Sequence, residues 1–498
     1  MMIAHIAMRE VKDHVRTLRY LTLSLLSVLL MTLGTYLNAK SYLTRVDAHS
    51  TMMRDQERAL SQGAPGAIRF HGYGWAPKET EPALRALRFP AALSVWARGI
   101  DAALPGYWQF TSRGVLQGPP LGDVTSSIGT LANIDYLFVS QVILGLMAVL
   151  LTFDSISGER ESGTLRATLA HPVPRNAVVI GKFVGALLTI LPPVLLGTLI
   201  SLLVAASAGV AFWRDGGLIR LGVLTLGAVG YLALFAAMGL AVSATIRTAK
   251  TSLVVTLVLW ASLVFVVPRL AALIASLAHP VELADTVQRR TESITAELER
   301  ERRVMLADTW ISSTGNSSIP EAEFPAVLRE AYDRVRLPLE RQLFQKRRSL
   351  LRAEVDEMLR AEERRTSLFD VLVRLSPAAI LEQLANETAA TGNAEARRWS
   401  RQVEAHQRTL ESAAFDRVFG VEIFNSRLDL LISWDPDPRD PASLPPDIRD
   451  LPRFHMNEAS LHDVLVPALG DLALLTISAS VLLVGACVVF QRYDVRSA

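Results

Sequence analysis

Six long apolar runs constrain this chain of 498 residues more than any other feature. A helix that crosses the hydrocarbon core of a bilayer needs about 20 mostly apolar residues, and half of this chain is apolar. The runs of suitable length are residues 20–37, 136–153, 183–212, 221–244, 251–267 and 466–490. The sequence therefore predicts an all-α polytopic membrane protein with six transmembrane helices.

Basic residues in short connections orient membrane proteins, because they are retained on the cytoplasmic side. Here they fall in four segments that share one side of a six-span topology: Arg9, Lys12, Arg16, Arg19, Arg160, Arg166, Arg175, Lys182, Arg247, Lys250, Arg492 and Arg496. The first run is longer than the apolar core of a signal peptide and lacks a cleavage site, so we expect an uncleaved span. The sequence predicts a multi-pass protein of the bacterial inner membrane with both termini cytoplasmic.

This topology divides the chain into membrane and soluble parts. Residues 1–19 alternate apolar and charged residues at helical spacing and predict an amphipathic interface helix, either a topology anchor or an element that transmits motion. The other parts are the first span at 20–37, an extracytoplasmic insertion at 38–135, the second span at 136–153, a cytoplasmic loop at 154–182, spans three to five within 183–275, a larger and mainly helical extracytoplasmic domain at 276–465, the sixth span at 466–490 and a cytoplasmic tail at 491–498.

The two insertions differ in composition. The larger one is highly charged, with apolar residues seven apart, which predicts a helical hairpin that turns at residues 312–320. The first continues from the membrane as a helix over 41–61 and then becomes rich in glycine, proline and aromatic residues. These aromatic side chains are interface anchors or a small core, with substrate contact as the alternative.

The interiors of the spans are nearly free of ionisable residues. Transporters driven by ion gradients normally carry such residues there as coupling sites, so ion-driven transport is not expected. Asp471, near the start of the sixth span, is the main exception. It is either a functional site or a residue that lies at the interface or is satisfied by a neighbouring helix.

The sequence carries no catalytic or cofactor signature. Gly181 and Lys182 lack the upstream glycine and the following hydroxyl of a phosphate-binding loop, and no zinc-protease helix or nucleophile elbow occurs. The single cysteine, Cys487, excludes an internal disulfide and a multi-thiolate metal site. We therefore expect a chain that is not an enzyme, holds no cofactor or metal and does not recognise nucleic acid.

The most informative segment is the charged loop between the second and third spans, FDSISGERESGTLRATLAHPVPRNAVVIGKFVG. Composition alone makes it a solvated loop, although a short helix held between two spans also suits a soluble motor. The segment resembles the signature of ABC type 2 exporter permeases, in particular the branch similar to the nitrous-oxide-reductase maturation permease. The matching residues are Asp154, Gly158, Glu159, Arg160, Glu161, Gly163, Thr164, Leu165, Pro172, Gly181 and Lys182. Six spans, an amphipathic helix and an insertion after the fifth span extend the resemblance over most of the chain.

The resemblance implies that residues 157–174 form a coupling helix that docks on a separate ATP-binding-cassette ATPase subunit. Ion pairs from the charges of this helix would fix the docking register, and its leucines would give apolar contact. The implied coupling residues are Asp154, Gly158, Glu159, Arg160, Glu161, Gly163, Thr164, Leu165, Leu169 and Pro172.

The resemblance thus predicts the permease subunit of an ATP-binding-cassette exporter, which moves an unidentified substrate between two permease subunits. Its partners would be the ATPase, a second copy or a sister permease, and membrane lipid. The alternative is a membrane scaffold that uses a partner ATPase to act on extracytoplasmic envelope proteins without transport, because more than half of the chain is predicted outside the spans. A cavity between spans would favour export, and sealed spans with a moving hairpin would favour the scaffold.

Overall fold

The computed structural model describes residues 2–61, 68–70, 75–77, 85–111, 114–117, 134–165, 174–280, most of 289–305, 337–428 and 452–492. Within these residues, six helices are long and apolar enough to cross a membrane, which confirms the predicted fold class. They are Leu18–Arg58, Tyr136–Glu161, Arg175–Ser207, Arg214–Thr245, Ala249–Ala278 and Leu461–Gln491.

The helices are numbered along the chain. Two spans, α3 and α7, each contain one π-helical turn. The bounds are α1 (Met2–Val15), α2 (Leu18–Ser61), α3 (Tyr136–Phe138, π-helical Val139–Leu144 and Gly145–Thr152), α4 (Ser157–Glu161), α5 (Arg175–Ser207), α6 (Gly217–Thr245), α7 (Ala249–Ala261, π-helical Ser262–Val266 and Val267–Ala278), α8 (Leu337–Val373), α9 (Pro377–Ala389), α10 (Asn393–Leu428) and α11 (Leu461–Gln491).

The first span does not end at residue 37, where its apolar run ends, but continues as one helix to Ser61. Its sequence contains no glycine or proline between Gly34 and Gly63, so nothing interrupts the helix. Along this extension, Ala39 and Tyr42 are buried against the first insertion. The helix α2 therefore carries part of that insertion on its side.

The centre of the bundle is α6, which packs against α3, α5, α9 and α11. Its aromatic residues Tyr231 and Phe235 are fully buried and contact each other edge to face. A side chain at Gly239 would meet the Thr152 hydroxyl oxygen at 2.0 Å, so this glycine lets α6 approach α3 closely. The spans thus pack through small residues, as expected where lipid offers no hydrophobic force between helices.

The short helix α9 is packed among the spans although it is too short to cross the membrane itself. Ser376 Oγ donates to the carbonyl of Leu263 in the π-helical turn of α7, at 2.5 Å. Gln141, in the π-helical turn of α3, donates through Nε2 to the carbonyl of Ala378 at 2.8 Å. A π-helical turn changes the backbone hydrogen-bond pattern and is frequent at functional sites. Both irregular turns therefore face α9.

The first insertion contains short strands that the sequence did not predict. The antiparallel pairs are β1 (Ile68–Phe70) with β2 (Trp75–Pro77), and β4 (Tyr107–Thr111) between β3 (Arg85–Leu87) and β5 (Gly114–Gln117). Trp96 of this insertion is fully buried and donates to Ser201 of α5 at 2.9 Å. This aromatic residue therefore belongs to a core.

The two insertions join each other. Thr391, which follows α9, donates through its hydroxyl to the carbonyl of Ala97 at 2.9 Å and accepts from the amide of Ile100 at 2.9 Å. Phe110 of β4 contacts His406 of α10. In the predicted hairpin, Lys346 of α8 pairs with Glu301 at 2.7 Å, while the predicted turn at 312–320 lies outside the described residues.

Candidate functional site

Residues 154–165, called here the charged turn, connect α3 to the segment before α5. The amide of Gly158 donates to the carbonyl of Asp154 at 2.8 Å and begins the single helical turn of α4. Gly163 follows it with a φ of 75°, in the left-handed region that favours glycine. The Gly-Glu-Arg-Glu-Ser-Gly sequence therefore specifies one helical turn with a sharp stop.

Ser243, near the end of α6, fixes the start of the charged turn. Its hydroxyl oxygen accepts from the amides of Ile156 and Ser157, each at 3.0 Å. The hydroxyls of Ser243 and Ser157 also lie 3.1 Å apart, and both residues are fully buried. Buried serines with such partners hold the backbone in one position, since leaving any of these groups unpaired costs free energy.

Two charged residues of the charged turn bind the ends of helices. The Arg160 guanidinium donates to the carbonyls of Ala244 and Ile246, at 3.0 and 3.2 Å, where α6 ends. Glu161 Oε2 accepts from the amide of Ala249 at 3.0 Å, where α7 begins. A cation at the C-terminal end of a helix and an anion at an N-terminal end both complement the helix dipole. Both spans are therefore attached to the charged turn.

Glu159 is paired within the chain. Its Oε1 lies 2.8 Å from Nζ of Lys182, a residue of α5 whose side chain is only 3% exposed. The same Nζ lies 2.5 Å from Oε1 of Glu10 in α1. One buried ammonium group thus joins the charged turn, α5 and α1.

His14 lies beside this ion-pair cluster. Its Nε2 is 3.6 Å from Glu10 Oε2. Burial lowers the pKa of His14 below its ordinary value of 6.5, and the carboxylates of Glu10 and Asp154 partly offset this effect. The imidazole is therefore neutral near pH 7.

The helix α1 packs on α5 at two glycines separated by three residues. Cβ atoms at Gly181 and Gly185 would lie 2.7 Å from the side chains of Ile6 and Glu10 respectively. Ala7 is buried in this contact. Small residues at this spacing let two helices approach closely, so α1 is held both by shape and by the Lys182 ion pairs.

The end of the charged turn is apolar and buried. Leu165 is 2% exposed and packs in a cluster with Ile156, Val178, Leu240 and Phe490. These residues come from the charged turn, α5, α6 and α11. Leu165 therefore anchors the charged turn to three spans, and its side chain is not available for apolar contact with another protein.

The structure brings most of the predicted coupling residues together. Asp154 and Gly158 are half-buried, while Glu161, Gly163 and Thr164 are exposed. Leu169 and Pro172 lie outside the described residues. The sequence analysis did not predict that Ser243, Glu10 and Lys182 position the charged turn. The one signal in the sequence was the Gly-Lys-Phe-Val-Gly spacing, which indicates a close helix contact and is where α1 packs on α5.

Among the described residues, no group of three or more histidine, cysteine, aspartate or glutamate side chains is arranged to hold a metal ion. The contacts at the charged turn fix its position relative to the surrounding helices. Helix ends, ion pairs and apolar packing hold the charged turn against α1, α5, α6, α7 and α11.

Comparisons with known proteins show the family of the chain. The family model described as ABC-2 family transporter protein matches residues 4–495. The chain is 33% identical over 132 residues, 25% of this chain and 42% of the relative, to the "Probable ABC transporter permease protein NosY" of Stutzerimonas stutzeri. It is 33% identical over 95 residues, 19% of this chain and 29% of the relative, to the protein of the same name from Pseudomonas aeruginosa.

The chain thus spans less than half of the length of each of these relatives. The family model, in contrast, covers nearly all of the chain. The predicted resemblance to permeases of the NosY branch is therefore confirmed, and this multi-pass membrane protein belongs to the ABC-2 family of transporter proteins.

Proposed function

We propose that this chain is the membrane subunit of an ATP-binding-cassette exporter, and that a separate ATPase subunit docks on the charged turn. The observation that carries this proposal is the attachment of the turn to four helices at once, through Ser243, Arg160, Glu161 and Lys182. A force applied to the turn would move α1 and the spans α5, α6 and α7 together. Both relatives are named as probable ABC transporter permeases, which supports the same function.

The charges of the turn have a different role in this proposal from the one that the sequence suggested. Glu159 and Arg160 transmit force within the chain, because their partners are Lys182 and the end of α6. The exposed residues Glu161 and Thr164 contact the ATPase. ATP binding would draw two such turns together and tilt the attached spans, and hydrolysis would reset them.

The proposed orientation places the charged turn and both termini in the cytoplasm, in a bacterial inner membrane. The basic residues of the connecting segments support this orientation. A second permease copy or a sister permease would complete the transport path. The outward face of α11 suits such a neighbour, because it carries the exposed hydroxyl residues Thr476 and Ser480 in an open groove with Ile477.

Cross-linking tests the docking proposal. The chain, with Cys487→Ser, would carry Thr164→Cys and be purified with its ATPase. We expect a bifunctional thiol reagent to cross-link the ATPase to Thr164→Cys but not to the matched control Ser367→Cys, an exposed serine of α8. Cross-linking at Ser367→Cys alone would refute the proposal.

Labelling with an impermeant thiol reagent tests the orientation. We expect Thr164→Cys to react in inside-out vesicles and Ser367→Cys in right-side-out vesicles. The reverse pattern would place the charged turn beyond the reach of a cytoplasmic motor.

One observation favours the scaffold as a second candidate. The helix α7 is bound by Glu161 at its first residue and by Ser376 at its π-helical turn, so it connects the charged turn to α9 and to the second insertion. Transport assays in sealed vesicles would separate the candidates once a substrate is known. Export predicts ATP-dependent movement of that substrate, whereas the scaffold predicts ATP-dependent movement of α8 with no substrate crossing.

A further inference from the structure

Three acceptor oxygens without hydrogen-bond donors lie where α9 meets the sixth span, α11. They are Oε1 of Gln383 and Oε2 of Glu387 on α9, and Oδ2 of Asp471 on α11, and all three are buried. None of them has a partner among the residues that the structure describes. Asp471 is 5% exposed as a whole. A buried acceptor left without a donor is costly, so each such group calls for an explanation.

The charged side chains around these oxygens do not supply the missing hydrogen-bond donors. Asp370 and Arg374, at and after the end of α8, act on both Glu387 and Asp471, and Arg397 of α10 acts on Asp370. Arg374 itself is exposed. Two further titratable groups lie on helices that pack at this contact. Glu382 of α9 is exposed, and the buried Tyr231 hydroxyl of α6 donates to the carbonyl of Gln141 instead.

Carboxylates therefore outnumber cations at this contact, and two of the carboxyl groups are buried close enough to affect each other. The Asp471 charge, together with burial as the larger cause, raises the pKa of Glu387 to about 7. Two buried carboxyl groups in one site do not both ionise readily, because their like charges repel in a medium of low dielectric constant.

The missing donor must also be small. The three oxygens are closed to solvent, so an amine or a hydrated ion would reach them only if α9 and α11 separated. A proton needs no such space. Once bound, it converts one carboxylate into a neutral carboxyl group that carries a hydroxyl donor.

We propose that Glu387 and Asp471 bind one proton between α9 and the sixth span, and that this proton holds α9 against the bundle. With the proton bound, one of the two charges is neutralised and the repulsion between the carboxyl groups is removed. After its loss, two buried carboxylates repel each other across the contact, and α9 loosens. Since Ser376 bonds α9 to α7, the proton sets how firmly the second insertion is attached to the spans. The site does not depend on the proposed ATPase or substrate.

Infrared spectroscopy of the purified chain tests for the proton directly. We expect the carbonyl band of a protonated carboxyl group to be present at about pH 5, to decrease around pH 7 and to be lost by about pH 9. The component of the band that is lost between about pH 7 and about pH 9 should be absent in Glu387→Gln and in Asp471→Asn, and retained in the control Glu363→Gln, an exposed carboxyl of α8. A wild-type spectrum without this band, or one that both variants leave unchanged, would overturn the proposal.

Thermal unfolding gives a second measurement. The folded chain holds a proton that the unfolded chain releases in this range, so the Tm of the wild type should fall as the pH rises from about 5 to about 9. The glutamine in Glu387→Gln is uncharged at every pH and carries an amide donor. We therefore expect the Tm of this variant to depend less on pH, and to exceed the wild-type Tm at about pH 9. Equal slopes in both proteins, or a wild-type slope that added sodium or calcium abolishes, would contradict a proton as the ligand.

Discussion

Lys182 is the residue on which the charged turn depends most, because its ammonium group lies between two carboxylates from separate elements. The side chain is almost fully buried, and a buried charge is tolerated only when it is paired. Glu10 and Glu159 therefore keep α1 and the charged turn in place through the same cation.

Replacing Lys182 with methionine should release α1. Glu10 and Glu159 would then face each other without a cation, and breaking a buried ion pair in this way costs about 3–5 kcal/mol. We expect trypsin to cleave α1 at Arg9 and Lys12 faster in Lys182→Met than in wild type. Lys250→Met removes an exposed lysine from the start of α7 and should leave the cleavage rate unchanged.

A second buried cluster stabilises the first insertion. Asp101, which is 1% exposed, pairs with Arg45 of α2 and with Arg88, at 2.7 Å for the latter. Asp101→Ala would leave two buried guanidinium groups without their carboxylate, so we expect a loss of about 3–5 kcal/mol in the free energy of unfolding. Denaturant unfolding followed by tryptophan fluorescence measures this loss. Asp55→Ala removes an exposed carboxylate of the same helix and should change stability by less than about 0.5 kcal/mol.

His14 makes the contact of α1 sensitive to acid. Its pKa is lowered in the folded chain, so the form with α1 released binds the proton more tightly, and acid favours release. The stabilising contribution is therefore present above the ordinary pKa of 6.5 and is lost as the pH falls below it. We expect trypsin cleavage of α1 to accelerate on acidification, after correction for the pH dependence of the protease, and His14→Gln to remove this effect.

At the level of whole elements, the contact between α1 and α5 depends on the absence of side chains. Gly185→Leu would place a side chain where Glu10 and Ala7 already lie, 2.7 and 3.0 Å from the new Cβ. We expect this variant to displace α1 and to cost about 1–3 kcal/mol, as overpacking generally does. The control is Gly222→Leu in α6, where a Cβ would meet nothing within 4 Å. Equal trypsin sensitivity of α1 in the two variants would contradict the packing argument.

The elements themselves were predictable to different degrees. Apolar length alone predicts the six spans, because the bilayer demands it. The coupling helix expected over 157–174 is instead interrupted, because Gly163 has a φ of 75° after the single turn of α4. The partner of Glu159 was not predictable, since Lys182 lies 23 residues away and the pair forms only when α5 packs beside the turn. The position of α9 was hidden for a similar reason. Its sequence is that of an ordinary amphipathic helix, and its packing through Leu381 and Leu384 and its hydrogen bonds to the spans form only in the folded chain.

For the whole molecule, α7 is the continuous connection between the charged turn and the second insertion. A fluorophore at Ser349→Cys on α8, in the Cys487→Ser background, should respond to ATP binding in a complex with the ATPase. Ser376→Ala removes the bond to Leu263 and also the N-terminal cap of α9, because the same hydroxyl accepts from the amide of Ala379. Each is worth about 1 kcal/mol, or about a fivefold change in population. We expect Ser376→Ala to weaken the response, whereas Ser367→Ala, which loses only a bond within its own helix, should not. An unchanged response in Ser376→Ala would exclude this route.

The uninterrupted helix α2 extends well beyond the thickness of a bilayer. Its 44 residues extend about 66 Å, more than twice the thickness of the hydrocarbon core of about 30 Å. Asn38, Arg45 and Gln56 fasten the first insertion along the outlying half. A rigid rod of this kind acts as a lever arm: a tilt of about 5° at the bilayer displaces its far tip by about 3 Å. Small rearrangements among the spans would thereby be amplified at the far end of the first insertion.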